Sequence, residues 1–190
     1  LRIVLMGSDF ELRLVSLVVR AREMSDDVIL LDLGSKDSTI ELAERVDCPV
    51  VKFDGKMVAP NIASHLLENN PHTNTLMIHI TGEFKLRDMP LLVNRTRDNW
   101  DVHMSFFSKG NEKTDPNEIR YSEGIVSHLA ASKRGLKFLS EANPSDAPLE
   151  LSEEIRVRVL QSKPPLNVQQ RESLATASKF AQLFYWMLES

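Results

Sequence analysis

The chain has 190 residues, 42% of them hydrophobic and 26% charged, enough to bury one substantial core and too few for two comfortable domains. Its 23 basic and 27 acidic residues give a formal net charge of -4, so nothing draws it diffusely to phosphate backbones, and general nucleic-acid binding is excluded. No apolar run reaches the length of a membrane span, and the N-terminus lacks the layout of a signal peptide.

In chain order, residues 2–6 read as a strand ended by Gly7-Ser8-Asp9, and Leu12, Val15, Val18 and Val19 form the apolar face of a helix. Residues 28–31 are a nearly continuous apolar run, as expected of a strand buried on both faces, and it stops at Asp32. A helix follows from 36 to 46, and residues 50–51 resume the sheet. Cys48, the one cysteine, stands before Pro49 in an apolar setting and reads as a buried thiol more than a nucleophile.

Residues 58–67 read as a helix, 76–78 as a strand, 86–93 as a helix and 100–107 as a fifth strand. The stretch 108–121 is polar and turn-rich and reads as a loop. Beyond it come a strand over 125–132, a short helix over 133–141, and an amphipathic helix over 149–161 whose Ser152 and glutamates suit its first turn. In the last segment Leu174, Ala177, Ala181, Phe184 and Leu188 recur at helical spacing. The alternation of strand and helix predicts an α/β domain, a single doubly wound, mostly parallel sheet flanked by helices.

In such a sheet ligands bind beyond the carboxyl ends of the strands, so the polar residues just after the apolar runs are the candidates. Asp32-Leu33-Gly34-Ser35-Lys36-Asp37-Ser38-Thr39 is one such place: a carboxylate there can accept from a base N–H, while Ser35 or Asp37 serves equally as a helix cap. The others are Gly7-Ser8-Asp9-Phe10-Glu11 and His79-Ile80-Thr81-Gly82-Glu83.

The run Val28-Ile29-Leu30-Leu31 with Asp32 to Thr39 resembles the apolar strand and Asp-Asp-Gly-Ser-x-Asp-x-Thr signature of glycosyltransferase family 2, with Leu33 in place of the second aspartate. Ala59-Pro60-Asn61 is similar to that family's small residue and asparagine on the helix after the third strand. Leu76 to Leu92 looks like the strand, Asp-x-Asp-Gly and amphipathic helix of dolichyl-phosphate-mannose-synthase-like members, with His79 and Thr81 where the two metal-binding aspartates stand. Weaker similarity continues through Asp101-Val102, Ala130 to Leu136, the glutamates of 149–160 and Arg171.

The resemblance implies a GT-A fold over 1–190, with a nucleotide-binding half (1–107), an acceptor-side half (108–171) and a C-terminal helix (172–190). It implies a hexosyltransferase that moves sugar from a UDP- or GDP-sugar to an acceptor, a lipid phosphate among the candidates. Asp9, Glu11, Asp32, Ser35, Asp37, Asn61 and Thr81 would face the nucleotide. Glu153 or Glu154, with Glu123 as a further candidate, would take the acidic catalytic role, and Arg171 would hold phosphate. The family's Mg²⁺ or Mn²⁺ would be left with His79 as its one evident ligand.

The alternative is a non-catalytic GT-A-like module that has lost the metal site and binds a nucleotide, a partner or a second copy through the C-terminal helix. A third option, sugar nucleotidyl transfer, needs a glycine-rich basic loop near the N-terminus, which Gly7 alone does not supply. The expected location is cytoplasmic, with membrane association open because the chain starts at Leu1 and not at Met.

Overall fold

The computed structural model describes residues 1–68, 70–72, 74–81, 84–107, 125–142 and 155–162. The expected loop at 108–121, the first part of the helix expected over 149–161 and the terminal helix lie outside the described residues. Strands β1 (Arg2–Gly7), β2 (Asp27–Asp32), β3 (Val50–Lys52), β4 (Asn74–His79), β5 (Val102–Phe107), β6 (Val126–Ser132) and β7 (Val157–Ser162) form one sheet in the order β3-β2-β1-β4-β6-β5-β7. Every neighbouring pair is parallel except those made by β6, which runs antiparallel to β4 and β5. The α/β, mostly parallel, doubly wound reading is the observed fold.

Among the described residues five helices, α1 (Glu11–Arg22), α2 (Thr39–Arg45), α3 (Ala59–Leu67), α4 (Met89–Arg95) and α5 (Lys133–Glu141), are divided between the two faces. Ile3, Leu5, Leu30, Leu76 and Ile78 pack with Leu14, Leu17, Val18 and Ala21 of α1, Ala43 of α2, and Leu92 and Val93 of α4. Val4, Met6, Leu31 and Met77 point the other way, onto Ile62 and Ala63 of α3 and Leu136 and Leu139 of α5. Alternate residues of one strand thus feed two cores, so the central strands must be apolar throughout. Each such side chain contributes about 1.5–3 kcal/mol on burial.

Local chemistry sets the boundaries. The second helix, expected from residue 36, begins at Thr39, because 36–38 form a turn bonded to the loop after β1. A 3₁₀ turn at Leu86–Asp88 precedes α4, which carries Pro90 in its first turn where a missing N–H costs no helical bond. Ser132 caps α5 by accepting from the Gly135 amide at 3.0 Å.

The helix expected over 149–161 is corrected at its C-terminal half, where Val157–Ser162 is an edge strand parallel to β5, registered Val102↔Val157 to Phe107↔Ser162. In sequence Ile155, Val157 and Val159 alternate with Arg156 and Arg158, a period of two in β-branched residues, and this overrides the helical glutamates before it. Cys48 is buried, and desolvation raises its thiol to about 11, so it is inert at neutral pH. Among the described residues no helix is long and apolar enough to cross a membrane.

Candidate functional site

The sheet reverses direction of growth at β1, which has β2 on one side and β4 on the other. Gly7 stands opposite Asp32, and Met6 opposite His79, so the expected site residues Asp32 and His79 reach the carboxyl edge at nearly the same level. Open α/β sheets receive ligands at such a point. Asp9, Ser35, Asp37 and Thr81 lie in the loops just beyond it, Glu11 opens α1, and Asn61, half-buried, lies in the first turn of α3.

The loop after β1 and the loop after β2 are bonded to each other from both sides. Asp9 N–H donates to Ser35 Oγ at 3.1 Å, Phe10 N–H to Thr39 Oγ1 at 3.0 Å and Glu11 N–H to Asp37 Oδ2 at 3.0 Å. In return Lys36 N–H donates to Asp9 Oδ1 at 2.7 Å and Ser38 N–H to Glu11 Oε2 at 2.9 Å. Each carboxylate satisfies an amide that the turn would otherwise leave without a bond. Asp9 adopts φ 56°, a left-handed conformation that aspartate tolerates better than most residues but still at a cost of about 1 kcal/mol, offset here by these bonds.

Asp32 is 1% exposed, and both its oxygens are engaged inside its own loop. Gly34 N–H donates to Oδ2 at 3.1 Å, Ser35 N–H to Oδ1 at 3.1 Å and Ser35 Oγ to Oδ1 at 2.5 Å. Gly34 sits at φ 95°, where a side chain would be strained, so the glycine and the aspartate together define the turn. Leu33, at the position of the family's second aspartate, packs against the core on the α3 side of the sheet.

Arg13, one turn into α1, is a site residue that the sequence reading missed. It is 8% exposed, and its guanidinium donates to Thr81 O at 2.6 Å and to Phe84 O, so it anchors the backbone that follows β4. Burial lowers it to about 10, and it stays charged at neutral pH. The signal was present: position 13 falls one turn before Leu17 on the face of α1 that also carries Leu14 and Ala21, where an arginine is out of pattern unless it has a task.

His79 places Nδ1 3.3 Å from Val126 O, so this nitrogen donates to the carbonyl. Among the described residues no group of three His, Cys, Asp or Glu side chains converges as a metal site would require. One imidazole nitrogen and the Thr81 hydroxyl are too few hard ligands for Mg²⁺ or Mn²⁺, so the described residues do not fit the ion expected from the resemblance. Glu123, Glu153, Glu154 and Arg171, with Gly82 and Glu83, lie outside the described residues.

A second polar group missed in the sequence lies on the α4 side of the sheet. His103 of β5 and His128 of β6 are 2% and 8% exposed, with ring centroids 5.9 Å apart in an edge arrangement. Arg95 Nη1 lies 2.7 Å from His128 Nε2 and donates to it, and Arg158 is registered beside His103. Desolvation, then Arg95, hold both imidazoles low, His103 at about 4 and His128 at about 3. Histidines at inward positions of apolar strands were the available sign.

No protein-family model matches the chain, and no curated protein matches it in sequence. Solved structures do match in fold. A candidate nucleotide-diphospho-sugar transferase from Desulfovibrio desulfuricans G20 superposes with a TM-score of 0.54 at 7% identity, covering 98% of this chain and 96% of that one. The 4-diphosphocytidyl-2C-methyl-D-erythritol synthase from Anaerococcus prevotii DSM 20548 does so with a TM-score of 0.53 at 16% identity, covering 95% and 98%. At these identities the likeness is one of fold alone: the chain shares the mostly parallel, helix-flanked sheet of these two structures.

Proposed function

We propose that this protein is a glycosyltransferase-like domain that takes a UDP- or GDP-sugar at the carboxyl edge of β1, β2 and β4. Its second half, 108–171, would serve the acceptor, a lipid phosphate being one candidate. The observation that carries the reading is the reciprocal bonding of the loops after β1 and β2, which builds a preformed wall where such sheets accept nucleotides. The fold shared with a candidate nucleotide-diphospho-sugar transferase supports it.

Within this reading the carboxylates divide their work. Asp32 and Asp37 shape the loops, whereas Asp9 is exposed and has only Oδ1 engaged by Lys36, which leaves Oδ2 to accept from a base N–H. Asn61 and Thr81 are proposed to border the ribose and diphosphate. Glu153 or Glu154 would polarise the acceptor, and Arg171 would hold diphosphate oxygens. No step is routed through a metal. Nucleotidyl transfer is disfavoured because residues 7–11 carry no basic side chain and Arg13 is turned onto backbone carbonyls.

Calorimetric titration with UDP-glucose and with GDP-mannose, each with and without Mn²⁺, tests the proposal. Saturable binding of at least one donor is expected, and Asp9→Asn, which keeps the Oδ1 acceptor for the Lys36 amide and tolerates the left-handed backbone, should weaken it at least about tenfold, the worth of one charge-assisted bond, with little change in the unfolding midpoint. No binding of any nucleotide or nucleotide-sugar would sink the reading. A requirement for Mn²⁺ abolished by His79→Ala would restore His79 as a ligand.

A further inference from the structure

The group on the α4 side of the sheet carries more positive charge than its own carboxylates match. Arg95 ends α4 and Arg158 lies on the edge strand β7, and among the described residues neither guanidinium makes an ion pair. Among the described residues Asp98 is an acidic side chain whose field reaches Arg95 and His103, and it is exposed. Beside Arg158 in register and against the His128 ring that Arg95 bonds lies His103, whose Nδ1 and Nε2 are both buried and have no hydrogen-bond partner among the described residues. A buried imidazole with neither nitrogen satisfied forfeits its hydration without a bond in return, and native structures seldom keep one without a task.

Donors on separate elements that face a cation-rich spot, with no paired carboxylate among the described residues, are the makings of an oxyanion site. Arg95 on α4 bonds His128 of β6, His128 meets His103 of β5 ring edge to ring, and Arg158 of β7 is registered beside His103, so donors from four elements gather here. This suits a tetrahedral ion with several acceptor oxygens better than a planar carboxylate. We propose that Arg95, His103, His128 and Arg158 form a binding site for phosphate, free or as a monoester, separate from the nucleotide edge.

The separation follows from the register. His128 pairs with Ile78, and His103 pairs with Ala130, which pairs with Leu76, so His103 lies three residues, or about 10 Å, below the level of His79. Phosphate would accept from the Arg95 and Arg158 guanidiniums and from His103 N–H, and its charge would favour protonation of the second His103 nitrogen, turning an orphaned acceptor into a donor. No bond to the ligand is made or broken. The site binds, and it would join α4 to the edge strand β7.

The test uses the full chain in inorganic phosphate, in sulfate and in chloride at matched ionic strength, with glycerol phosphate as the monoester probe. Phosphate at 100 times its dissociation constant should raise the unfolding midpoint by several degrees, on the order of 5 °C, relative to chloride. Arg158→Ala, an exposed position whose loss should leave the fold intact, should weaken phosphate at least about tenfold. The imidazole resonances of His103 should titrate at higher pH with phosphate than without. Equal midpoints in phosphate and chloride, an Arg158→Ala response equal to the parent's, or unmoved His103 resonances would each overturn the site. Sulfate acting like phosphate would support the oxyanion class, and response to glycerol phosphate would show that a monoester fits.

Discussion

Glu11 and Asp37 hold each other's loops: the Glu11 amide donates to Asp37 Oδ2 at 3.0 Å, while the Glu11 carboxylate takes the Ser38 amide at 2.9 Å, next to Asp37. Asp37 also accepts from the Thr39 amide at 2.9 Å, so one side chain closes the turn and joins it to the start of α1. Such a pair should be energetically coupled. Asp37→Ala and Glu11→Ala are each expected to cost about 1–2 kcal/mol, and the double variant less than their sum by about 0.5–1 kcal/mol. Urea unfolding of the four proteins measures this, and strict additivity would show that the loops do not depend on each other.

Much of this arrangement is legible in the amino-acid sequence. The buried central strands follow from runs such as Val28 to Leu31, and the carboxyl-edge loops follow from the polar residues that end them. Roles within the loops are not legible there. The resemblance would put Asp32 to work on a ligand, but only three-dimensional accounting shows both its oxygens taken by Gly34 and Ser35. The strand β7 is hidden because Glu153 and Glu154 suit a helix start, and its alternation gains force only when β5 is there to pair with it. Arg13 and His103 escape for the same reason: a buried polar residue has meaning through partners far away in the chain.

Arg13 is expected to be a positioning residue for the backbone after β4. Arg13→Met keeps the packed stem and removes the donors to Thr81 and Phe84, which should cost about 2–3 kcal/mol. The Phe84 amide, which donates to Thr81 O at 3.1 Å, should then exchange with solvent faster than amides of the central strands. Arg13→Lys should recover less than half of the loss, because an ammonium lacks the fork that reaches two carbonyls. Equal stability of all three proteins would refute the anchor.

Gly135 should tolerate no side chain. A Cβ there would lie 2.0 Å from the Asp101 carbonyl oxygen and 2.8 Å from Val102 Cγ2, and the first of these is backbone that also accepts from the Ser132 amide at 2.9 Å. Relief would require α5 to move off β5. Although alanine is the better helix former by about 1 kcal/mol, Gly135→Ala should lose about 3 kcal/mol or more, read as a lowered urea midpoint. A neutral or stabilising result would mean that α5 is not seated this closely on the start of β5.

Acid should destabilise the protein through His103 and His128 before most carboxylates titrate. In the unfolded chain both imidazoles take up protons near pH 6.5, whereas in the fold burial and Arg95 hold them to about 4 and about 3. Above pH 6.5 both states are neutral at these sites and the pair adds no slope. Between pH 6.5 and about 4 the unfolded state binds more protons, so stability present above 6.5 is lost as pH falls. By pH 5 the loss is about 2 kcal/mol per imidazole, from roughly 1.4 kcal/mol per pH unit. Urea unfolding at pH 8, 7, 6 and 5 in a phosphate-free buffer should show this decline, and His103→Phe should roughly halve it between pH 7 and 5. An unchanged slope in that variant would mean that His103 already titrates normally in the fold, and that the positive field of Arg95 and Arg158 does not reach it.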